Sequence, residues 1–106
     1  MQLLLLLKGH PGSGKSCLAH VLASKLKIPL IDKDDARDAL EQESFSFNSG
    51  LNEVSYDIMF RVVATQLRVG LCVVVDCPFS RKELFDRAYK LASEAGAQVV
   101  LVECIP

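Results

Sequence analysis

The order of apolar and polar residues divides the chain into short apolar runs and longer segments with helical periodicity. Short apolar runs predict strands that are covered on both faces. These predicted strands are residues 3–7, 28–31, 71–75 and 98–102. Apolar residues that recur every three or four positions predict helices. The first three predicted helices are residues 15–26, 34–40 and 51–69. A fourth begins at a capping box formed by Ser80 and Glu83 and runs through Ala95.

Each long predicted helix has an apolar stripe that we expect to pack against a sheet. The stripes are Leu18, Leu22 and Leu26 with Val21 beside them, then Leu51, Val54, Ile58 and Val62, and finally Leu84, Ala88, Leu91 and Ala92. Pro29 predicts a strand start or an edge position, because proline cannot donate to a ladder. Gly70 and Gly96 predict helix ends. Residues 41–50, rich in serine and asparagine, predict a loop.

Strands that alternate with helices predict an α/β fold of three layers, in which a parallel sheet has helices on both faces. Ligands of such sheets bind at the carboxyl ends of the strands. Three polar segments follow predicted strands at that edge, namely residues 9–16, 32–35 and Asp76. We therefore expect the three segments to form one crevice.

The segment after the first predicted strand matches G-x-x-x-x-G-K-[ST] without a mismatch and opens a predicted helix, the context of a phosphate-binding loop. Its glycines allow close backbone approach to a ligand, and its N–H groups and the helix N-terminus attract phosphate. Lys15 is predicted to reach the β- and γ-phosphates of a nucleoside triphosphate. The alternative, a glycine-rich turn that only caps a helix, needs fewer of these fixed positions. The predicted nucleotide-binding residues are Gly9, His10, Pro11, Gly12, Ser13, Gly14, Lys15, Ser16 and Cys17.

Asp76 ends the third predicted strand, which is apolar up to that residue. An acidic residue at this place is typical of a site that positions Mg²⁺ opposite the loop hydroxyl. The predicted metal-binding residues are therefore Ser16 and Asp76. The alternative for Asp76 is a turn former before Pro78.

Asp34 and Arg37 form the candidate acceptor site. A hydroxyl acceptor needs a carboxylate to orient it and to accept its proton, and an arginine on the same helix face can clamp an anionic group. Lys15, Asp34 and Arg37 are thus the predicted catalytic residues. In the alternative, Asp32 or Asp34 caps the helix and Arg37 pairs with Glu41 on the surface.

Composition narrows the class of protein. Half of the 106 residues are hydrophobic and 24% are charged, which predicts one packed domain. The net charge of -1 provides no overall basic field, which favours a small-molecule acceptor over nucleic acid. No apolar run approaches a membrane span, and no leader pattern precedes the loop. The four cysteines lack metal-site spacing and are expected to be small buried hydrophobes in a reducing, cytoplasmic setting; they are Cys17, Cys72, Cys77 and Cys104.

The sequence GHPGSGKS, followed one strand–helix unit later by DKDDAR and then by an apolar strand that ends in Asp76, resembles the small P-loop kinases. The similarity is greatest to the branch with polynucleotide 5′-hydroxyl kinase and the zeta-toxin-like kinases, and it extends over essentially the whole chain. It implies strand order 2-3-1-4, Mg·ATP as phosphoryl donor and a hydroxyl acceptor, either a small molecule or a nucleic acid 5′-hydroxyl. It also implies that Asp34 is the general base and that Arg37 holds an acceptor phosphate.

The chain departs from these kinases in two ways. Members of the group continue past the fourth strand into an arginine-bearing lid and a fifth strand, so residues 1–106 are expected to be an incomplete kinase domain. The fourth strand would then be an exposed edge that favours self-association. Cys77 and Pro78 follow Asp76, where the relatives carry a small polar residue.

Two alternatives to a kinase stay open, a non-catalytic ATP-binding module and a P-loop ATPase. A GTP switch is disfavoured because the chain has no N-K-x-D tetrapeptide. Dinucleotide binding is disfavoured because the loop glycines do not fit G-x-G-x-x-G.

Overall fold

A computed structural model describes residues 1–9, 12–42, 50–79 and 81–104. Strands and helices alternate within these residues, except that two helices follow one another in the middle of the chain. In chain order the elements are β1 (Leu3–Lys8), α1 (Lys15–Leu26), β2 (Leu30–Asp32), α2 (Lys33–Gln42), α3 (Leu51–Arg68), β3 (Val73–Asp76), α4 (Lys82–Ala95) and β4 (Gln98–Glu103).

The strands form a sheet in the order β2-β3-β1-β4, and each described pairing is parallel. The predicted α/β class and strand order are therefore confirmed. The register aligns the carboxyl ends, because Asp76 lies opposite Leu7 on one side and Asp32 on the other. The two aspartates and the end of β1 consequently meet at one edge of the sheet.

Alternate residues of the central strands enter two separate cores. Leu4, Leu6 and Val75 pack with side chains of α3 and α4 on one face, whereas Leu7 and Val74 pack with α1 on the other. The apolar runs of the sequence are thus explained, since both faces of β1 and β3 are covered.

The predicted stripe of α3 is wrong except for Leu51. Val54, Ile58 and Val62 are 48%, 36% and 38% exposed. The buried stripe lies one position further round the helix, and its members are Tyr56, Met59, Phe60, Val63 and Leu67. These residues have helical spacing too. Tyr56, Met59 and Phe60 are larger than the valines and the isoleucine of the predicted stripe, so burying them removes more apolar area from water.

The predicted stripe of α1 is also partly wrong, because Val21 and Leu26 are 44% and 53% exposed. Ala19 is fully buried, and Leu22 and Ala23 pack beside it against the sheet. These three residues have i, i+3, i+4 spacing, and the small side chain of Ala19 lets the helix approach the strands closely.

The predicted stripe of α4 is confirmed, with Leu84, Ala88 and Ala92 buried and Leu91 packed against them. This helix begins at Lys82 with Arg81 as its N-cap residue; Ser80 of the predicted capping box lies outside the described residues. Gly96, with φ of 72°, ends the helix as predicted.

Element bounds elsewhere shift by a few residues. Strand β2 begins at Leu30, two residues later than predicted, and it lies at an edge of the sheet, in agreement with the strand start or edge position that Pro29 predicts. Helix α2 starts at Lys33 and extends through Gln42, past the predicted end; residues 43–49 of the predicted loop lie outside the described part. Among the described helices, none is long and apolar enough to cross a membrane.

The prediction that the cysteines are buried is wrong for Cys17, which is exposed on α1. Cys77 is buried, and the other two are half-buried. Cys17 directly follows the loop on the first turn of its helix, where the side chain points away from the sheet that Ala19 contacts.

Candidate nucleotide-binding site

In the described part of the loop between β1 and α1, residues 12–14 have the backbone shape that the glycines predict. Gly12 and Gly14 have φ of 85° and 86°, in the left-handed region that favours glycine. Gly14 is the N-cap residue of α1, and its carbonyl accepts the first helical hydrogen bond, from the Leu18 N–H at 2.9 Å. The loop thus leads directly into a helix N-terminus, where backbone N–H groups are free to bind an anion. His10 and Pro11 of the predicted site lie outside the described residues.

Gly9 is required for a different reason, which is space. A Cβ at this position would lie 2.8 Å from Ser13 Oγ and 3.1 Å from Cys104 Cβ. The end of β4 is fixed there, because the Cys104 N–H donates to the Lys8 carbonyl at 2.7 Å. The loop is therefore folded tightly onto the ends of β1 and β4.

Ser13 Oγ lies inside this loop, buried and without a hydrogen-bond partner among the described residues. Buried hydroxyl groups are usually satisfied, so an orphan one inside a loop of this shape is typical of a ligand site. Together with the left-handed glycines, it fits a loop that holds phosphate oxygens.

Lys15 and Ser16 converge on Asp76 from the first turn of α1. The Lys15 ammonium forms a salt bridge with Asp76 Oδ1, and the Ser16 hydroxyl donates to Asp76 Oδ2 at 3.0 Å. Asp76 is only 3% exposed. A buried carboxylate normally requires such partners.

The residues at this point fit Mg²⁺. A carboxylate and a hydroxyl are the hard oxygen ligands that this ion prefers, and it is commonly bound by one or two protein groups together with substrate phosphates. Over the described ranges, no group of three or more His, Cys, Asp or Glu side chains could hold a metal on its own. The donor set therefore suits a magnesium ion that arrives with a nucleotide.

A cleft of about 140 Å³ joins this point to the start of α2. Its lining residues are Lys15, Ser16, Asp32, Asp34, Asp76, Cys77 and Pro78. The predicted base Asp34 thus shares one cleft with the phosphate-loop lysine. Burial raises the pKa of the Cys77 thiol to about 12, so this cysteine is a neutral thiol and not a nucleophile at neutral pH.

Asp32 caps α2, since its Oδ1 accepts the Asp34 N–H at 2.9 Å. The N-cap alternative therefore holds for Asp32, whereas the carboxylate of Asp34 lines the cleft and lies 3.5 Å from Lys33 Nζ. Burial raises the pKa of Asp32; the Asp34 N–H opposes this shift, and the neighbouring Asp76 charge adds to it.

Arg37 is not among the residues that line the cleft. Its Nε donates to Glu41 Oε1 at 3.0 Å, and its Nη1 donates to Asn52 Oδ1 at 3.0 Å. The surface pairing with Glu41 is thus present in the structure, and the acceptor role of Arg37 stays a prediction.

Sequence reasoning missed three residues beside the cleft, Lys33, Asn52 and Tyr56. Lys33 is 4% exposed and lies 5.0 Å from the ring centre of Tyr56. The Tyr56 hydroxyl donates to the Pro78 carbonyl at 3.1 Å and so ties α3 to the segment after β3. A lysine between aspartates is normally exposed. Lys33 is buried because the first turns of α3 pack against it, and the sequence alone does not show that contact.

These features define a P-loop nucleoside triphosphatase. They are a parallel sheet, a glycine loop after its first strand, a helix behind the loop and an aspartate at the end of the adjacent strand. The chain belongs to the AAA domain family, whose model matches residues 4–106. Among curated protein sequences, none matches this chain significantly.

Solved structures with this fold include several kinases. A putative kinase from Chloroflexus aurantiacus is 23% identical with a TM-score of 0.84, over 98% of this chain and 59% of that one. The Mycobacterium tuberculosis APS kinase is 24% identical with a TM-score of 0.75, over 97% of this chain and 74% of that one. A chain of the Pnkp1/Rnl/Hen1 complex is 23% identical with a TM-score of 0.80, over 99% of this chain and 36% of that one. The chain thus spans 59% of the first of these structures.

Proposed function

We propose that this domain binds Mg·ATP and transfers its γ-phosphoryl group to a hydroxyl acceptor. The observation that carries the proposal is the shared cleft, which is lined by Lys15, Ser16, Asp34 and Asp76. An ATPase needs the first two side chains, whereas a carboxylate beside them suits an acceptor hydroxyl.

Each residue has a distinct task in the proposed reaction. The loop N–H groups and Lys15 bind the β- and γ-phosphates, while Ser16 and Asp76 would hold Mg²⁺, which supplies charge neutralisation at the phosphates. Asp34 orients the acceptor hydroxyl and accepts its proton. Because the transition state of phosphoryl transfer is loose, these residues act by position and charge and not as nucleophiles.

Structural neighbours support a kinase but differ in their acceptors. The M. tuberculosis APS kinase is known in complex with AMPPNP and APS, and another neighbour is a gluconokinase from Sinorhizobium meliloti. The net charge of -1 favours a small-molecule acceptor for this domain. An intracellular, reducing location is part of the proposal, and four cysteines without disulfides support it.

The test is ADP release from Mg·ATP with a panel of acceptors: a 5′-hydroxyl oligonucleotide, nucleosides, nucleotides, sugars and sugar phosphates. Lys15→Ala serves as the blank, since it removes the phosphate-binding ammonium. Release that one acceptor stimulates would support the kinase and give its substrate class. ATP binding with no stimulated release would contradict it and favour an ATP-binding module, and release without any acceptor would favour an ATPase.

A further inference from the structure

Lys33 is a buried lysine at the first position of α2, directly before the predicted base. Its Nζ lies 3.5 Å from Asp34 Oδ1 and 3.5 Å from Asn52 Oδ1. Both distances are long, because an ammonium bonded well to oxygen lies about 2.7–2.9 Å from it. Burying an ammonium is costly unless it is closely paired, so these contacts satisfy Lys33 only in part.

A second cation shares the same neutral oxygen. Arg37 donates to Asn52 Oδ1 at 3.0 Å, so the ammonium of Lys33 and the guanidinium of Arg37 both approach one amide that offsets neither charge. Arg81 lies 5.8 Å from the ring centre of Tyr56, the ring that Lys33 also contacts. Three cationic side chains, those of Lys33, Arg37 and Arg81, therefore lie near the start of α3.

The three cations differ in how strongly they are already neutralised. Arg37 has Glu41 at 3.0 Å, and Arg81 has Glu53 at 3.0 Å. The carboxylate that contacts Lys33 is Asp34, at 3.5 Å, and its side chain is 65% exposed. Of these three, Lys33 has the weakest ion pair and therefore gains most from an incoming anion.

We propose that Lys33 binds the acceptor, and that with Arg37 it holds an anionic group carried by the hydroxyl compound that is phosphorylated. This inference rests on the proposed function and narrows its substrate class to hydroxyl compounds with a phosphate, sulfate or carboxylate group. An anion at Lys33 replaces Asp34 as the partner of the ammonium. Asp34, which lines the cleft, is then released toward the acceptor hydroxyl.

The resemblance to polynucleotide kinase implies that Arg37 holds the acceptor phosphate, whereas the geometry points to Lys33 as the principal cation. Arg37 would have to give up two contacts of 3.0 Å to bind an anion with its Nε and Nη1, while Lys33 exchanges only contacts of 3.5 Å. Lysine binds as a compact point charge, so it accepts tetrahedral and planar anions alike.

The binding test uses inorganic sulfate as the probe. Thermal unfolding is followed at increasing sulfate and constant ionic strength in Lys15→Ala, where the phosphate loop is disabled. A saturable rise of the midpoint by about 2–4 °C is expected, and it should be absent in Lys15→Ala/Lys33→Met. Lys25→Met on the same background is the matched control, because Lys25 lies in the last turn of α1, remote from the loop end. An equal response with and without Lys33 would overturn the proposal.

A second measurement needs no substitution at Lys33. The NMR cross-peak of the Lys33 Cε–Hε group should move saturably with sulfate in Lys15→Ala, whereas that of Lys25 should stay in place. A Lys33 signal that does not move would also overturn the proposal, whatever the stability of the methionine variant.

Activity then links the anion site to the substrate. In the protein with an intact loop, Lys33→Met should raise the KM for an anionic acceptor about 10- to 100-fold, with the KM for ATP unchanged. Lys33→Arg should restore part of the loss. A neutral acceptor used as well as its phosphorylated analogue would refute the inference and leave the kinase proposal intact. If wild-type protein phosphorylates no acceptor, the kinase proposal fails, and the sulfate response alone decides whether Lys33 binds an anion.

Discussion

The ion pair between Lys15 and Asp76 allows the site to be tested through stability as well as activity. The side chains are 11% and 4% exposed, so both charges are largely removed from water. Asp76→Asn leaves the ammonium of Lys15 without its counter-charge, and loss of one partner of a buried pair costs about 3–5 kcal/mol. Because Lys15 keeps some access to water through the cleft, we expect a loss of about 3 kcal/mol.

The double variant separates the pair from its surroundings. Lys15→Met/Asp76→Asn removes both charges and keeps an acceptor for the Ser16 hydroxyl, so its loss should be smaller than the sum of the two single losses, by about 1–3 kcal/mol. Urea unfolding at neutral pH measures the free energy of unfolding of wild type, Lys15→Met, Asp76→Asn and the double variant. Lys8→Met is the matched control, because the pair of Lys8 with Glu103 is exposed and 3.8 Å long, and should cost less than about 1 kcal/mol.

Nucleotide binding completes the cycle. Mg·ATP at about 100 times its Kd should stabilise wild-type protein by about 2.7 kcal/mol and should not stabilise Lys15→Met. Single losses that add within about 0.5 kcal/mol would show that the two residues do not interact in the folded protein. Full stabilisation of Lys15→Met by nucleotide would refute the phosphate role of the lysine.

Three further predictions test the loop, the base and the acid stability. Gly9→Ala introduces a Cβ 2.8 Å from Ser13 Oγ, so urea unfolding should show a loss of about 1–3 kcal/mol together with weaker ATP binding by calorimetry; wild-type values for both would contradict the close packing. Asp34→Asn should keep the ATP affinity and lower acceptor-dependent ADP release about 10²- to 10⁴-fold, and unchanged turnover would leave Asp34 with a structural role only. Hydrogen bonds from Arg87 and Arg61 lower the pKa of Asp57 below its usual 3.8, so its stabilising effect is present above 3.8 and is lost as pH falls through the lowered pKa; the urea midpoint of Asp57→Asn should therefore fall less in acid than that of wild type, and equal falls would contradict the network.

The sheet was predictable because its strands are buried on both faces. Leu4 to Leu7 and Val73 to Val75 have no polar face, which is typical of central parallel strands. The loop motif then identified the strand that leads into the phosphate-binding loop, and the resemblance to P-loop kinases supplied the order of the strands in the sheet. Local patterns and one specific motif were sufficient for this part of the fold.

The helix faces were less predictable because the helices carry more than one apolar stripe. On α3, Val54, Ile58 and Val62 have the same spacing as Met59 and Val63, and periodicity alone cannot rank two stripes. Tertiary packing selects the stripe with the larger side chains, at a cost of leaving three branched residues half in water. Such a choice depends on the partner surface, which a single helix does not encode.

The charges of the cleft were only half predictable, for a related reason. The sequence identifies Asp34 and Asp76 by their positions after strands. The salt-bridge partners of these carboxylates become clear only in the structure. Lys15 pairs with Asp76, and Lys33, which is buried because α3 packs beside it, pairs with Asp34. Each carboxylate with a proposed task is thus held by a lysine with a proposed ligand. Phosphate at Lys15 would free Asp76 for a cation, and an acceptor anion at Lys33 would free Asp34 for a hydroxyl. On the proposed function, the two substrates therefore do more than occupy the cleft, because each one releases the carboxylate that the reaction requires.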